Sequence, residues 1–119
     1  MAPVDELAVV VAPLLPLRIN EVEYSDPHLM VMGAGWSLAL IGAWEWRVGG
    51  RVVTEWGEDT TEDVVWDLVG HSLIGVSGAK DTADFALSGG GVLQVHGDRS
   101  GYEFWTFHHR ALPVVYVGT

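Results

Sequence analysis

The chain has 119 residues, no cysteine, and 16 acidic against 6 basic side chains, for a formal charge of −10. Disulfides, thiolate zinc sites, iron–sulfur clusters and cysteine nucleophiles are thereby excluded, and the charge has the wrong sign for a nucleic-acid or anionic-membrane binder. With 49% hydrophobic residues and a mean hydropathy of +0.24, the chain is not a disordered acidic tail either. At this length folding would bury roughly two thirds of the chain's surface, enough for the core of one domain over residues 1–119.

Within that domain the chain divides into residues 1–16, 17–56, 57–70 and 71–119. The first segment has no Lys or Arg, and Asp5 and Glu6 lie where a secretory leader needs positive charge. Residues 7–17 are apolar but broken by Pro13 and Pro16, and the run falls short of the roughly 20 residues that cross a bilayer. It reads as a short helix or an arm lying on the domain. No membrane contact is expected, and the default compartment is cytoplasmic.

Residues 17–56 open with a strand candidate at 18–24. Residues 29–40 follow, two alternating stretches about a Gly33-x-Gly35 turn. The same plan recurs in the last segment, with a strand candidate at 71–77 and then residues 85–95 around Gly89-Gly90-Gly91. Glycine supplies the positive φ that tight hairpins need, so the chain carries two copies of a three-strand meander. Between them, residues 44–48 and 51–56 flank Gly49-Gly50, a two-residue hairpin pattern. Trp44, Trp46 and Val48 share one face of that strand, Glu45 and Arg47 the other.

In residues 57–70 the period changes. Thr60 or Thr61 can cap a helix over 61–69, with Asp63 in the capping-box position relative to Thr60. Val64, Val65, Leu68 and Val69 form its apolar stripe, and Gly70 follows its end. Residues 102–107 and 112–117 read as the closing strands, Tyr102 and Phe104 pointing one way and Trp105 and Phe107 the other. Pro113 moves the last strand toward a sheet edge. The fold class is mainly β, an antiparallel sandwich, half-open barrel or curved sheet built from two meanders plus a hairpin, with one short helix near 61–69.

The outline of residues 17–107, with its two meanders and the run Tyr102-Glu103-Phe104-Trp105, resembles a family of small, mostly actinobacterial β-rich proteins of unknown function. Their chains carry two such meanders and a Tyr-Glu-x-Trp sequence near the end. Their usual Asp-Gly hairpin turns are glycine runs here. The resemblance implies a β-rich fold and no activity, and an immunity-like role is attached to some members.

Several constellations carry chemical possibilities. Glu55, Glu58, Asp59, Glu62, Asp63 and Asp67 place six acids in thirteen residues with no base among them. Such a run can dock a basic partner, raising on-rate and selectivity more than affinity; a solvated surface is the plain alternative. Calcium is a third reading, although no EF-hand spacing exists. The histidines lack zinc spacing, and the adjacent His108 and His109 point to opposite faces if on a strand. No metal or cofactor is expected.

Glu45 and Glu103 each lie between aromatic residues and are the weak catalytic candidates, but either can instead pair with Arg47 or Arg110. Nucleophile-elbow and P-loop motifs are missing. Six tryptophans are hard to bury completely in so small a domain, and Trp44 with Trp46, beside the acidic run, is the pair expected to reach the surface. Together these features point to a non-catalytic protein-binding module, immunity-like or regulatory. It would dock Glu55, Glu58, Asp59, Glu62, Asp63, Trp44 and Trp46 on a basic protein. The alternatives are a barrel or sandwich around an apolar ligand, as in a cofactor-independent tailoring enzyme, and a structural homodimer.

Overall fold

The alternation of residues 18–40 folds as a meander of β2 (Glu21–Ser25), β3 (His28–Gly33) and β4 (Trp36–Leu40). Its inward positions, Val22, Leu29, Val31, Trp36, Leu38 and Leu40, are all buried. A helix, α1 (Pro3–Val11), and a two-residue strand, β1 (Leu17–Arg18), precede it. The Gly49-Gly50 hairpin joins β5 (Ala43–Val48) to β6 (Arg51–Glu55). A short helix, α2 (Thr61–Val65), continues into a 3-10 turn at Trp66–Leu68. The second meander is β7 (Ser72–Ala79), β8 (Thr82–Leu87) and β9 (Gly91–His96), and β10 (Trp105–His109) and β11 (Tyr116–Gly118) end the chain. The computed structural model describes residues 3–25, 27–57, 61–79, 81–98 and 101–119, for residues 61 and 62 the backbone alone.

The strands form two antiparallel sheets, one ordered β1-β7-β8-β9-β5-β6 and the other β11-β10-β4-β3-β2. Both sequence-read meanders and the glycine hairpin are therefore real elements. The sheets face each other as a sandwich and do not close into a barrel. They are linked at a corner: the Ile19 amide donates to His71 O in the larger sheet (2.8 Å), and the next amide, Asn20, donates to Met32 O in the smaller (2.8 Å). One chain thus changes sheets within two residues, a usual way for packed sheets to share an edge. Gly33 makes room at this corner, because a Cβ there would collide with Arg18 O and the Trp36 indole nitrogen. Those two groups hydrogen-bond to each other at 3.2 Å.

Both helices span the two sheets. Val4, Leu7 and Val11, at helical spacing, are buried where α1 meets β7 and β11. α2 meets β6 and β2, with Val65 and Leu68 fully buried. Between the sheets Phe85 meets Trp105 edge-on at 5.8 Å, and within the smaller sheet Trp36 stacks on Phe107 of the neighbouring strand at 6.1 Å.

Four local expectations are revised. The first helix begins at Pro3, earlier than the apolar run 7–17, because Pro is well placed in a helix's first turn. The stripe expected on the second helix loses Val69, which is extended and exposed once the chain turns at Gly70; Thr60 lies outside the described residues. Tyr102, Glu103 and Phe104 precede β10 rather than belonging to it, because pairing with β4 and β11 starts at Trp105. Residues 112–115 likewise precede β11, whose edge position agrees with the placement of Pro113.

Candidate functional site: an acidic groove with aromatic walls

The site grows from the outward side of β5. Strand alternation buries Trp44 and Trp46, and the same alternation turns Glu45 and Arg47 outward. Glu45 stands opposite Glu55 on one side and Gln94 on the other. Gln94 in turn faces Asp84 and donates to its Oδ1 at 2.7 Å. The Glu45 carboxylate, 15% exposed, lies 3.0 Å from Arg47 Nε and accepts a hydrogen bond from Arg47 Nη2 at 3.4 Å. The shorter Nε contact is ionic only, since that N–H makes no hydrogen bond. His96 Nε2 is 3.8 Å from the same carboxylate.

Beside this cluster runs a surface groove in two connected parts, of about 280 and about 400 Å³, which share Ala43, Trp56 and His96. Its floor is backbone at Gly42 and Gly97 over the buried ring of Phe104. Trp56, 45% exposed, and Tyr102, 81% exposed, line it together with His96. Four carboxylates, Glu45, Glu55, Asp98 and Glu103, also line it, and among the described lining residues none is Lys or Arg. Such a surface attracts cations and offers them planar rings.

The structure brings together some sequence-read residues and separates others. Glu55 and the weak catalytic candidate Glu45 line one part of the groove, and the other candidate, Glu103, lines the adjoining part. Glu103 is exposed and precedes the strand, rather than being enclosed between rings on it. Asp63 is exposed on α2 and is not among the lining residues. Glu58 and Asp59, and the side chain of Glu62, lie outside the described residues.

The expectation that Trp44 and Trp46 reach the surface is overturned. They are 2% and 4% exposed, because their face of β5 is the one the second sheet covers. The Trp44 indole N–H donates to Pro27 O at 2.8 Å, whereas Trp46 Nε1 is buried without a hydrogen-bond partner. The half-exposed tryptophans are Trp56 and Trp66.

Sequence reasoning missed Trp56 and Tyr102 as groove walls. Each adjoins a glycine with positive φ, Gly57 at +82° and Gly101 at +86°, but so does Trp36, beside Gly35 at +76°, and it is buried, so no local signal singled them out. Two histidines outside the groove, His71 and His109, do structural work. His71 Nδ1 lies 2.9 Å from Ser88 O, and His109 Nδ1 accepts the Ala111 amide proton at 2.9 Å. His109 is buried and His108 exposed, as opposite strand faces require. Among the described residues no three His, Asp or Glu side chains gather as a metal site.

Fold and groove define a class: a two-sheet antiparallel β protein, sandwich-like, with an acidic, aromatic-walled groove at the surface. Compared with family models, curated proteins and solved structures, the chain matches none. No described helix is long and apolar enough to cross a membrane.

Proposed function

We propose that the protein is a non-catalytic binding module, of the immunity-like or regulatory kind, that docks on a basic protein partner through this groove. The observation that carries the proposal is the combination of two exposed rings, Trp56 and Tyr102, with four carboxylates and no Lys or Arg among the described lining residues. Acidic charge draws a basic partner and speeds encounter, and exposed aromatics provide the contact area on which hot spots are built. An immunity-like role is attached to some members of the small actinobacterial family that the chain resembles, and the lack of cysteine permits a cytoplasmic setting.

The alternative of an apolar ligand, or of acid–base chemistry, draws on the Glu45–His96 contact of 3.8 Å. Glu45, however, is already held by Arg47. An open groove with four carboxylates suits a cation better than an apolar molecule.

The test is titration with a short amidated peptide carrying both arginine and lysine, at low and at high salt. Binding should weaken steeply as salt rises, and Glu55→Lys combined with Glu103→Lys should weaken it about ten-fold or more, the scale of losing close charge pairs. Charge reversal at Glu58, Asp59, Glu62 and Asp63 asks whether the acidic run extends the docking surface. Binding left intact by that change would mark the run as solvated surface only. A peptide that fails to bind even at low salt would refute the docking proposal.

A further inference from the structure

We infer that the groove accepts an arginine side chain of its partner in preference to a lysine, with the guanidinium plane against the Trp56 indole; this rests on the docking reading above. Acidic charge alone does not separate the two cations, since both carry one positive charge. Planar surfaces do separate them. Guanidinium is flat, weakly hydrated and stacks on aromatic faces, whereas ammonium is a compact and strongly hydrated point charge.

The groove offers that flat geometry. Trp56 follows β6 directly and its amide donates to Trp44 O at 2.8 Å, which anchors the backbone while 45% of the residue stays exposed. Tyr102 lines the same groove. Gly42 and Gly97, which also line it, pack closely on Phe104: a Cβ on Gly42 would come 2.5 Å from His96 O and 2.8 Å from Phe104 Cβ, and one on Gly97 would come 3.0 Å from the Phe104 ring. The result is a slot wide enough, at about 400 Å³, for a long side chain.

Glu103 lines the slot, and Glu45 and Glu55 line the part of the groove beside it, so the local charge is negative. The protein already displays the chemistry in miniature. Arg47 sets two guanidinium nitrogens against the two carboxylate oxygens of Glu45, at 3.0 and 3.4 Å, immediately beside the groove. A partner arginine entering over Trp56 would combine carboxylate pairing with ring stacking.

The experiment compares two hexapeptide amides of equal charge, alternating glycine–arginine and alternating glycine–lysine, at about 50 mM salt so that screening does not mask the attraction. Binding to the full chain is read by calorimetry and by the indole N–H shifts of the tryptophans. The arginine peptide should bind about two- to five-fold more tightly, the size of an exposed cation–π contact. Trp56→Ala should abolish that preference while leaving the lysine affinity nearly unchanged, and Trp56→Phe should keep part of it. Glu103→Gln should weaken both peptides alike. Trp66→Ala, at the other exposed tryptophan, should keep the preference and so controls for folding.

Equal affinity for the two peptides, or an arginine preference that survives Trp56→Ala, would overturn the inference and leave the docking reading standing. Failure of both peptides to bind would overturn the docking reading itself.

Discussion

Glu45 on β5 stands directly across from Glu55 on β6, so two carboxylates share one register position on the open face of the larger sheet. Like charges directly opposite each other destabilise a strand pair. The sheet offsets this with Arg47, 3.0 Å from Glu45. Arg47→Ala should therefore lower stability by about 0.5–1 kcal/mol, the range for partly exposed ion pairs. Adding Glu45→Gln should recover part of that loss. Urea unfolding of both single variants and the double variant measures the coupling, and strictly additive effects would show that the pair does not offset the repulsion.

Two buried tryptophans on one strand should respond differently to the same substitution. Trp44→Phe removes an indole N–H that donates to Pro27 O at 2.8 Å, while Trp46→Phe removes a buried N–H that has no partner. A typical hydrogen bond contributes about 0.5–1.5 kcal/mol net. Trp46→Phe should accordingly be milder than Trp44→Phe by about 1 kcal/mol or more, read as the difference in urea midpoint at constant slope. Equal losses would mean that ring volume alone governs both sites.

Two glycines should separate in the same way. Gly118 lies under Trp105, and a Cβ there would overlap the indole nitrogen. Gly118→Ala should cost about 1–3 kcal/mol, as overpacking does. Gly49 has open space around it, and with Gly50 it shows φ of +59° and +80°, the type I′ pattern that accepts asparagine first. Gly49→Asn should leave stability unchanged or raise it by up to about 1 kcal/mol through the unfolded chain. Thermal melts of the two variants should move apart, Gly118→Ala downward.

The charge around Trp56 can be read from fluorescence without any partner. At low salt, caesium should quench Trp56 more, and iodide less, than each quenches free tryptophan amide at the same exposure, because carboxylates line the groove beside the ring. Trp56→Phe should remove most of that difference, and Trp66→Phe should remove less. A caesium-to-iodide quenching ratio no higher than that of free tryptophan amide would show that the local potential is not negative.

The hairpin turns were visible in the chain because they are local. Positive φ at Gly35, Gly49 and Gly50 follows from glycine's lack of a Cβ, and the strands beside them follow from alternation. The stretch beginning at Tyr102 shows the limit of such reasoning. Its aromatics favour a strand, yet the ladder starts only at Trp105, where β4 and β11 present partners. Strand formation there depends on which neighbours arrive, and a propensity cannot report that.

The same limit governs the site. Charge, lack of cysteine, two meanders, a glycine hairpin and the opposite faces of Trp44 and Glu45 were all determined by the sequence alone, since each depends on composition or on neighbours along one strand. Which face of β5 lies inside was decided only when the second sheet covered it. That choice buried Trp44 and Trp46 and turned Glu45 outward, and the turns at Gly57 and Gly101 left Trp56 and Tyr102 at the surface. Glu45, Glu55, His96 and Glu103, scattered along the chain, line one groove because strand pairing and sheet packing join distant segments, and no local pattern encodes those contacts.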